Sequence, residues 1–265
     1  MSRACPVAAF FAPRLSYFDG KAMSAEKKRR RFRLPQFSGP DLTGKKVILI
    51  GPASTVTEEL ENVDLSEFDV VARMNNSINT PITYRGAPYH FHNMYFRNQQ
   101  RNSATSLAGR LDRESAELCG TETVVFLLMR WREILRLMRK IVGIWRMGIP
   151  VEIYVLGPGY IRRVAREIRP HKPTLGFIAL HYLLESDLDR LNVAGFTFFT
   201  TKYIDNYNDR VEKDDDAMAW ATRNRKHNPK AERVAFRRLY EKAAGEGKDI
   251  VLGAGVRRAL YGSDQ

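Results

Sequence analysis

Lys46-Val47-Ile48-Leu49-Ile50-Gly51-Pro52-Ala53-Ser54-Thr55 is the stretch that decides the fold. Four branched apolar residues in a row, with Gly44 before and Gly51-Pro52 after, read as a short buried strand that ends in a turn. The hydroxyls of Ser54, Thr55 and Thr57 follow, and a second apolar run at residues 68–72 predicts another strand. Further strands are expected at 89–95, 123–128, 151–156 and 193–199, with helical patterns at 130–144, 160–168, 174–184 and 231–243. Strands alternating with helices predict a single α/β domain, Rossmann-like, with a mostly parallel sheet covered on both faces.

Working outward, the 265 residues are 44% hydrophobic and 28% charged, a globular composition. No apolar run approaches the roughly 18 to 20 residues that span a bilayer. There are two cysteines, Cys5 and Cys119, and Cys5 falls in a loose N-terminal stretch, so a reducing cytoplasm is expected and a structural disulfide is not. Residues 1–40 read as a basic, disordered tail around Lys27-Lys28-Arg29-Arg30-Arg31-Phe32-Arg33, with Met23 as a second candidate start, and 41–265 as the catalytic domain. The net charge of +13 asks for an anionic partner. Nucleic acid, an acidic membrane face, an acidic glycan or a nucleotide donor would each satisfy it.

In an open α/β sheet, ligands bind at the carboxyl ends of the strands. The turn at Gly51 is neither a dinucleotide fingerprint nor a P-loop, because the later glycines and the Gly-Lys-Ser/Thr are missing. It offers one glycine for close backbone approach, with Ser54 and Thr55 as hydroxyls for a phosphate or ribose. Arg73-Met74-Asn75-Asn76 follows the second strand and places a cation and two amides at the same edge; a structural turn held by asparagines is the equal alternative. Pro173-Thr174 suits the start of a helix, whose first amides favour an anion. His227 precedes a helix expected to begin near Pro229, and a loop histidine titrates near neutrality, as a general base requires. Glu232 stands one turn into that helix, where it could orient the histidine or complete a cap. His181 reads as a core residue, and His90 with His92 as a strand pair lacking a third metal ligand. Asp214-Asp215-Asp216 reads as an exposed acidic loop rather than a metal site.

Together these pieces resemble the sialyltransferases of glycosyltransferase family 29. The stretch from Lys46 to Asn75, with Tyr89-His90-Phe91-His92-Asn93-Met94-Tyr95 as its tail, is similar to their large motif. Pro173-Thr174-Leu175-Gly176 is similar to the small motif, Lys202-Tyr203-Ile204-Asp205-Asn206 to the third, and His227 with Glu232 to the very small motif. All four occur in the family's order over residues 46–232. Three departures stand out: Pro52-Ala53-Ser54 replaces Gly-Asn-Ser, Lys202 replaces an aromatic-histidine start, and the linking cysteines of animal members are absent, as in a bacterial-type member.

The resemblance implies the sialyltransferase variant of the nucleotide-sugar transferase fold. It also implies an inverting transfer of sialic acid, or a related ulosonic acid such as Kdo, from a CMP-sugar donor to a glycan or glycolipid hydroxyl. His227 and Glu232 would be catalytic; Gly51, Ser54, Thr55, Arg73, Asn75, Thr174, Gly176 and Tyr203 would bind the donor; neither a metal nor a resident cofactor is expected. Lipopolysaccharide or capsule synthesis would suit such an enzyme. A basic amphipathic stretch from Arg130 to Arg146 suits peripheral contact with an anionic inner membrane face, or a core helix with a solvated basic face. Two rival readings stay open: a non-catalytic nucleotide-binding relative, and a basic nucleic-acid-binding protein, although no RNA-recognition signature is present and nucleic acid is not the expected partner.

Overall fold

The first strand, β1 (Lys46–Ile50), carries the burial its composition demands, with Val47, Ile48 and Leu49 fully enclosed. In the computed structural model, which describes residues 34–99, 107–223 and 227–262, it lies near the middle of a seven-stranded sheet. Its partners are β2 (Val70–Met74) and β8 (Arg190–Ala194), both parallel to it. Beyond β2 lie β5 (Met94–Arg97), β6 (Thr123–Leu127) and β7 (Glu152–Leu156), and beyond β8 lies β9 (Ile250–Leu252). Every pair in this sheet is parallel, and the order is β7-β6-β5-β2-β1-β8-β9. A separate antiparallel hairpin joins β3 (Ile82–Tyr84) to β4 (Ala87–Tyr89).

Helices cover both faces, as a parallel sheet requires. On one face, α4 (Pro158–Arg166), α5 (Leu175–Glu185), α7 (Pro229–Gly245) and α8 (Ala254–Tyr261) pack over Val47, Leu49, Ala72, Phe96 and Val125. On the other, α1 (Val56–Leu60) covers Ile48, Ile50 and Val71, while α3 (Ile134–Arg146) covers Tyr95, Val124 and Phe126 through Leu137, Ile141 and Ile144. The short α2 (Arg113–Leu118) joins the second group, and α6 (Asp214–Thr222) packs beside α7. The described residues all fall within one compact unit, Phe32–Gln265. No helix among them is long and apolar enough to cross a membrane.

Several boundaries differ from the sequence reading. The strand expected at 89–95 is two elements, β4 and β5, so His90 and His92 lie in a connecting turn and not on one face of a strand. His92 is buried: its Nδ1 donates to the His90 carbonyl at 3.2 Å and its Nε2 accepts from the Thr121 hydroxyl at 3.3 Å. Burial pushes this imidazole down to about 3, which keeps it neutral. The strand expected at 193–199 ends at Ala194, because Gly195 (φ +70°) turns the chain out of the sheet. Asp214, Asp215 and Asp216 form the first turn of α6 instead of an open loop. Asp216 accepts from the Lys213 amide (3.0 Å) and Asp214 from the Lys202 amide (2.7 Å), where the helix end favours negative charge.

The described residues begin at Leu34. Gln36 pairs with the edge of β7, donating to Ile153 (2.9 Å) and accepting from Val155 (2.7 Å). The basic run ahead of it lies outside the described residues.

Candidate functional site at the β1–β8 switch point

From β1 the chain steps through β2, β5, β6 and β7 on one side, then places β8 and β9 on the other. The β1–β8 crevice is therefore the point where strand order reverses, and its carboxyl end is where open α/β sheets hold ligands. Gly51 ends β1 there and Gly195 ends β8. The two pass so closely that a Cβ on Gly51 would collide with the Gly195 carbonyl, and a Cβ on Gly195 would lie 2.5 Å from the Gly51 oxygen. Backbone bonds lace the turns together: Gly51 N–H to Ala194 (2.8 Å) and Ala53 N–H to Gly195 (3.1 Å).

The stretch 202–207 folds back over this first turn. Ser54 donates its amide to Lys202 (2.9 Å), Ile204 donates to Pro52 (2.9 Å), and Ala53 forms a bridge with Tyr203. Tyr203 packs against Tyr207, the rings tilted with centroids 5.0 Å apart, and burial raises its phenol well above the usual range. Asn76 ties the same loop to the end of β2, donating to the Tyr207 carbonyl at 2.8 Å. Asn75 occupies a left-handed conformation (φ 49°), which asparagine tolerates better than most residues. Its carbonyl accepts from the Tyr95 hydroxyl, and its side-chain oxygen accepts from the Asn98 amide at 3.3 Å.

The start of α5 completes the crevice. Gly176 lies against Phe196 and Met74, where a Cβ would be 3.1 and 3.7 Å from their side chains. Thr174 caps the helix by accepting from the Phe177 amide (3.2 Å). Its own amide and hydroxyl both donate to Glu232 of α7, at 2.6 and 2.7 Å. Glu232 is 1% exposed, and burial pushes its carboxyl up to about 7 despite these two bonds. A residue 58 positions away thus joins the cap of α5, and the Thr174 amide is not left for a ligand. The amides of Leu175 and Gly176 are what this helix end presents.

His227 is half-buried just ahead of α7, whose N-cap is Asn228, accepting from the Ala231 amide at 3.0 Å. The His227 Nδ1 lies 2.8 Å from the Lys172 carbonyl, two residues before Thr174. A carbonyl can only accept, so Nδ1 carries the proton and Nε2 holds the lone pair of the neutral ring. This is the tautomer a base acting through Nε2 needs.

The structure places Gly51, Ser54, Thr55, Asn75, Thr174, Gly176, Tyr203, His227 and Glu232 on turns and helix starts around the carboxyl ends of β1, β2 and β8. Arg73 is different: it lies inside β2, 1% exposed, with its guanidinium donating to the Thr80 carbonyl at 2.7 Å. Its Nε and other terminal nitrogen have no partner among the described residues, and burial pushes it down to about 10. It braces the turn after β2 from beneath. Thr55 gives its hydroxyl to Glu59 (2.5 Å), which also accepts from the Gly195 amide (3.3 Å). Glu59, a half-buried carboxylate raised by desolvation, was missed in the sequence, although its spacing of four from Thr55 was visible.

Two cavities open elsewhere on the same edge. One of about 450 Å3 lies at the end of β7 between Trp131, Tyr160 and Tyr182. The other, about 800 Å3, lies beside β5 and α3. Among the described residues, neither is lined by the residues of the β1–β8 crevice.

Fold and crevice define an α/β protein whose parallel sheet has its switch point between β1 and β8. No protein-family profile and no curated protein matches the sequence. Among solved structures, it is similar to a mammalian sialyltransferase at 14% identity and a TM-score of 0.45, covering 79% of this chain and 68% of that one. A mammalian sialyltransferase in complex with Gal-beta-1-3GalNAc-ortho-nitrophenol gives 14% identity and a TM-score of 0.46, over 79% and 69%. Likeness at this level identifies neither a family nor an activity.

Proposed function

We propose that the protein is an inverting glycosyltransferase that moves an ulosonic acid, sialic acid or Kdo, from a CMP-sugar to a glycan hydroxyl. The observation that carries this reading is the contact between α5 and α7. It sets the His227 imidazole, held by Lys172, beside the helix end that Thr174 and Glu232 build.

In the proposed reaction, Nε2 of His227 takes the proton as the acceptor O–H breaks and its oxygen bonds to the anomeric carbon. The bond from that carbon to the donor phosphate breaks, and CMP leaves with the electron pair. Ser54, Asn75 and the amides of Leu175 and Gly176 would face the departing phosphate, with Gly51 and Thr55 shaping the turn and Tyr203 backing it. Oriented amides stabilise such developing charge without reorganising. Glu232, near its midpoint at neutral pH, can take up a proton when a second negative charge arrives at the same helix end. Arg73 would act by position, bracing the turn at Asn75.

The test has two arms. CMP should raise the melting temperature more than UMP or GDP does, and CMP release from CMP-sialic acid or CMP-Kdo should depend on an added glycan. His227→Asn should keep the fold and lower kcat by roughly 100- to 10,000-fold. Absence of stabilisation by CMP would end the reading. CMP binding without release from either donor would leave a nucleotide-binding protein that does no chemistry.

A further inference from the structure

The second cavity has a chemistry of its own. About 800 Å3 in volume, it lies within the roughly 300 to 1,000 Å3 of small-ligand pockets. Arg136, Arg139, Lys140 and Gly143 line it from one face of α3, and Arg97 and Gln99 from the end of β5. Four of these six are cations, and no carboxylate lines the cavity among the described residues. The Arg97 guanidinium is fixed, donating to the Gly109 carbonyl (2.8 Å) and, at 3.4 Å, to the Tyr95 hydroxyl. Gln99 is 5% exposed; its amide nitrogen donates to Leu127 (2.7 Å), while its side-chain oxygen is buried with no partner among the described residues.

A buried carbonyl oxygen without a donor is costly unless a ligand supplies one. The cavity therefore asks for two things at once, negative charge and a hydrogen-bond donor. A hydroxyl-rich ring bearing carboxylate or phosphate groups supplies both. A flat lipid surface could meet exposed Arg136 and Arg139 but not Gln99 beneath them. Among the described residues the lining holds no exposed aromatic face on which nucleobases would stack. The position also matters: Asn98, between Arg97 and Gln99, donates its amide to Asn75 of the crevice. We propose that this cavity binds an acidic carbohydrate, and that this ligand is the anionic part of the acceptor. The acceptor role rests on the transfer reading; the binding site does not.

Binding is measured on the full chain without any donor, using tetragalacturonate and a phosphomannosyl disaccharide, with maltotetraose as the neutral control. At least one acidic probe should bind saturably and the neutral one about tenfold or more weaker. R136E/R139E changes only exposed residues and should lose that binding. Gly143→Leu should lose it too without lowering the melting temperature, because a Cβ there meets nothing within 4 Å. The proposal is overturned if neither acidic probe binds, if maltotetraose binds equally, or if both variants bind as before. It is also overturned if tripolyphosphate, an RNA oligonucleotide or phosphatidylglycerol vesicles bind as tightly through the same residues. Turnover separates the two readings. Probe binding with no CMP release for any acceptor removes the transfer and keeps the site. CMP release that ignores R136E/R139E removes the site's role and keeps the transfer.

Discussion

At the β1–β8 crevice backbone meets backbone, whereas beside β5 and α3 long cationic side chains surround open space. A glycine in each region shows the contrast. Gly195 turns the chain at φ +70° with the Gly51 oxygen against it, and Gly143 sits in mid-helix with nothing within 4 Å of a Cβ. The first is required by contact, the second by none. The lesson is that the crevice is a rigid frame whose shape is set by the main chain. The cavity is a chemical surface whose affinity is set by side chains.

Substitutions can break that contrast, and the largest effect falls in the frame. Gly195→Ala combines an overpacked contact with left-handed strain and should cost about 2 to 4 kcal/mol, read from urea unfolding. An unchanged midpoint would mean the two turns are not in contact. Next comes Glu232→Ala, which strips the Thr174 amide and hydroxyl of their acceptor and should cost about 1 to 3 kcal/mol.

Glu232 also gives the frame a pH signature. Its folded carboxyl, raised to about 7 from 4.5, holds a proton that the unfolded chain has already released over that interval. Its contribution is therefore full below about 4.5 and declines as pH rises towards 7. Unfolding midpoints at pH 5 and pH 8 should differ in the wild type, and Glu232→Gln should shrink the difference. The smallest effect belongs to the cavity. Gly143→Ala should stabilise by up to about 1 kcal/mol through helix propensity alone, and a loss instead would mean that side chain meets something.

The legible parts of the fold were those with local punctuation. β1, β2, β6 and β7 are apolar runs bounded by turns, and α7 begins at the Pro229 that marked it. β9 and α8 were missed because Ile250–Leu252 is only three residues long, and it pairs with β8 across 59 positions, Leu191 facing Ile250. At the site, residue types were readable and directions were not. Arg73 looked like a turn residue because β2 was ended at Ala72; the strand runs on to Met74, and the pleat turns Arg73 inward. Thr174 and Glu232 were each singled out, but their bond across 58 positions is a product of packing two helices, which no spacing rule announces. The cationic cavity was half visible: the basic face of α3 was noted, while Arg97 and Gln99 had no local signal.

The facing glycines carry one more implication, for how such a chain can change over time. The room that Gly51 lacks is taken up by Gly195, and the reverse is equally true. Neither codon can gain a side chain first, and no change at the other relieves the clash. Mutational drift in this protein is thus steered away from both positions together, and a saturation library should return the pair as glycine or not at all.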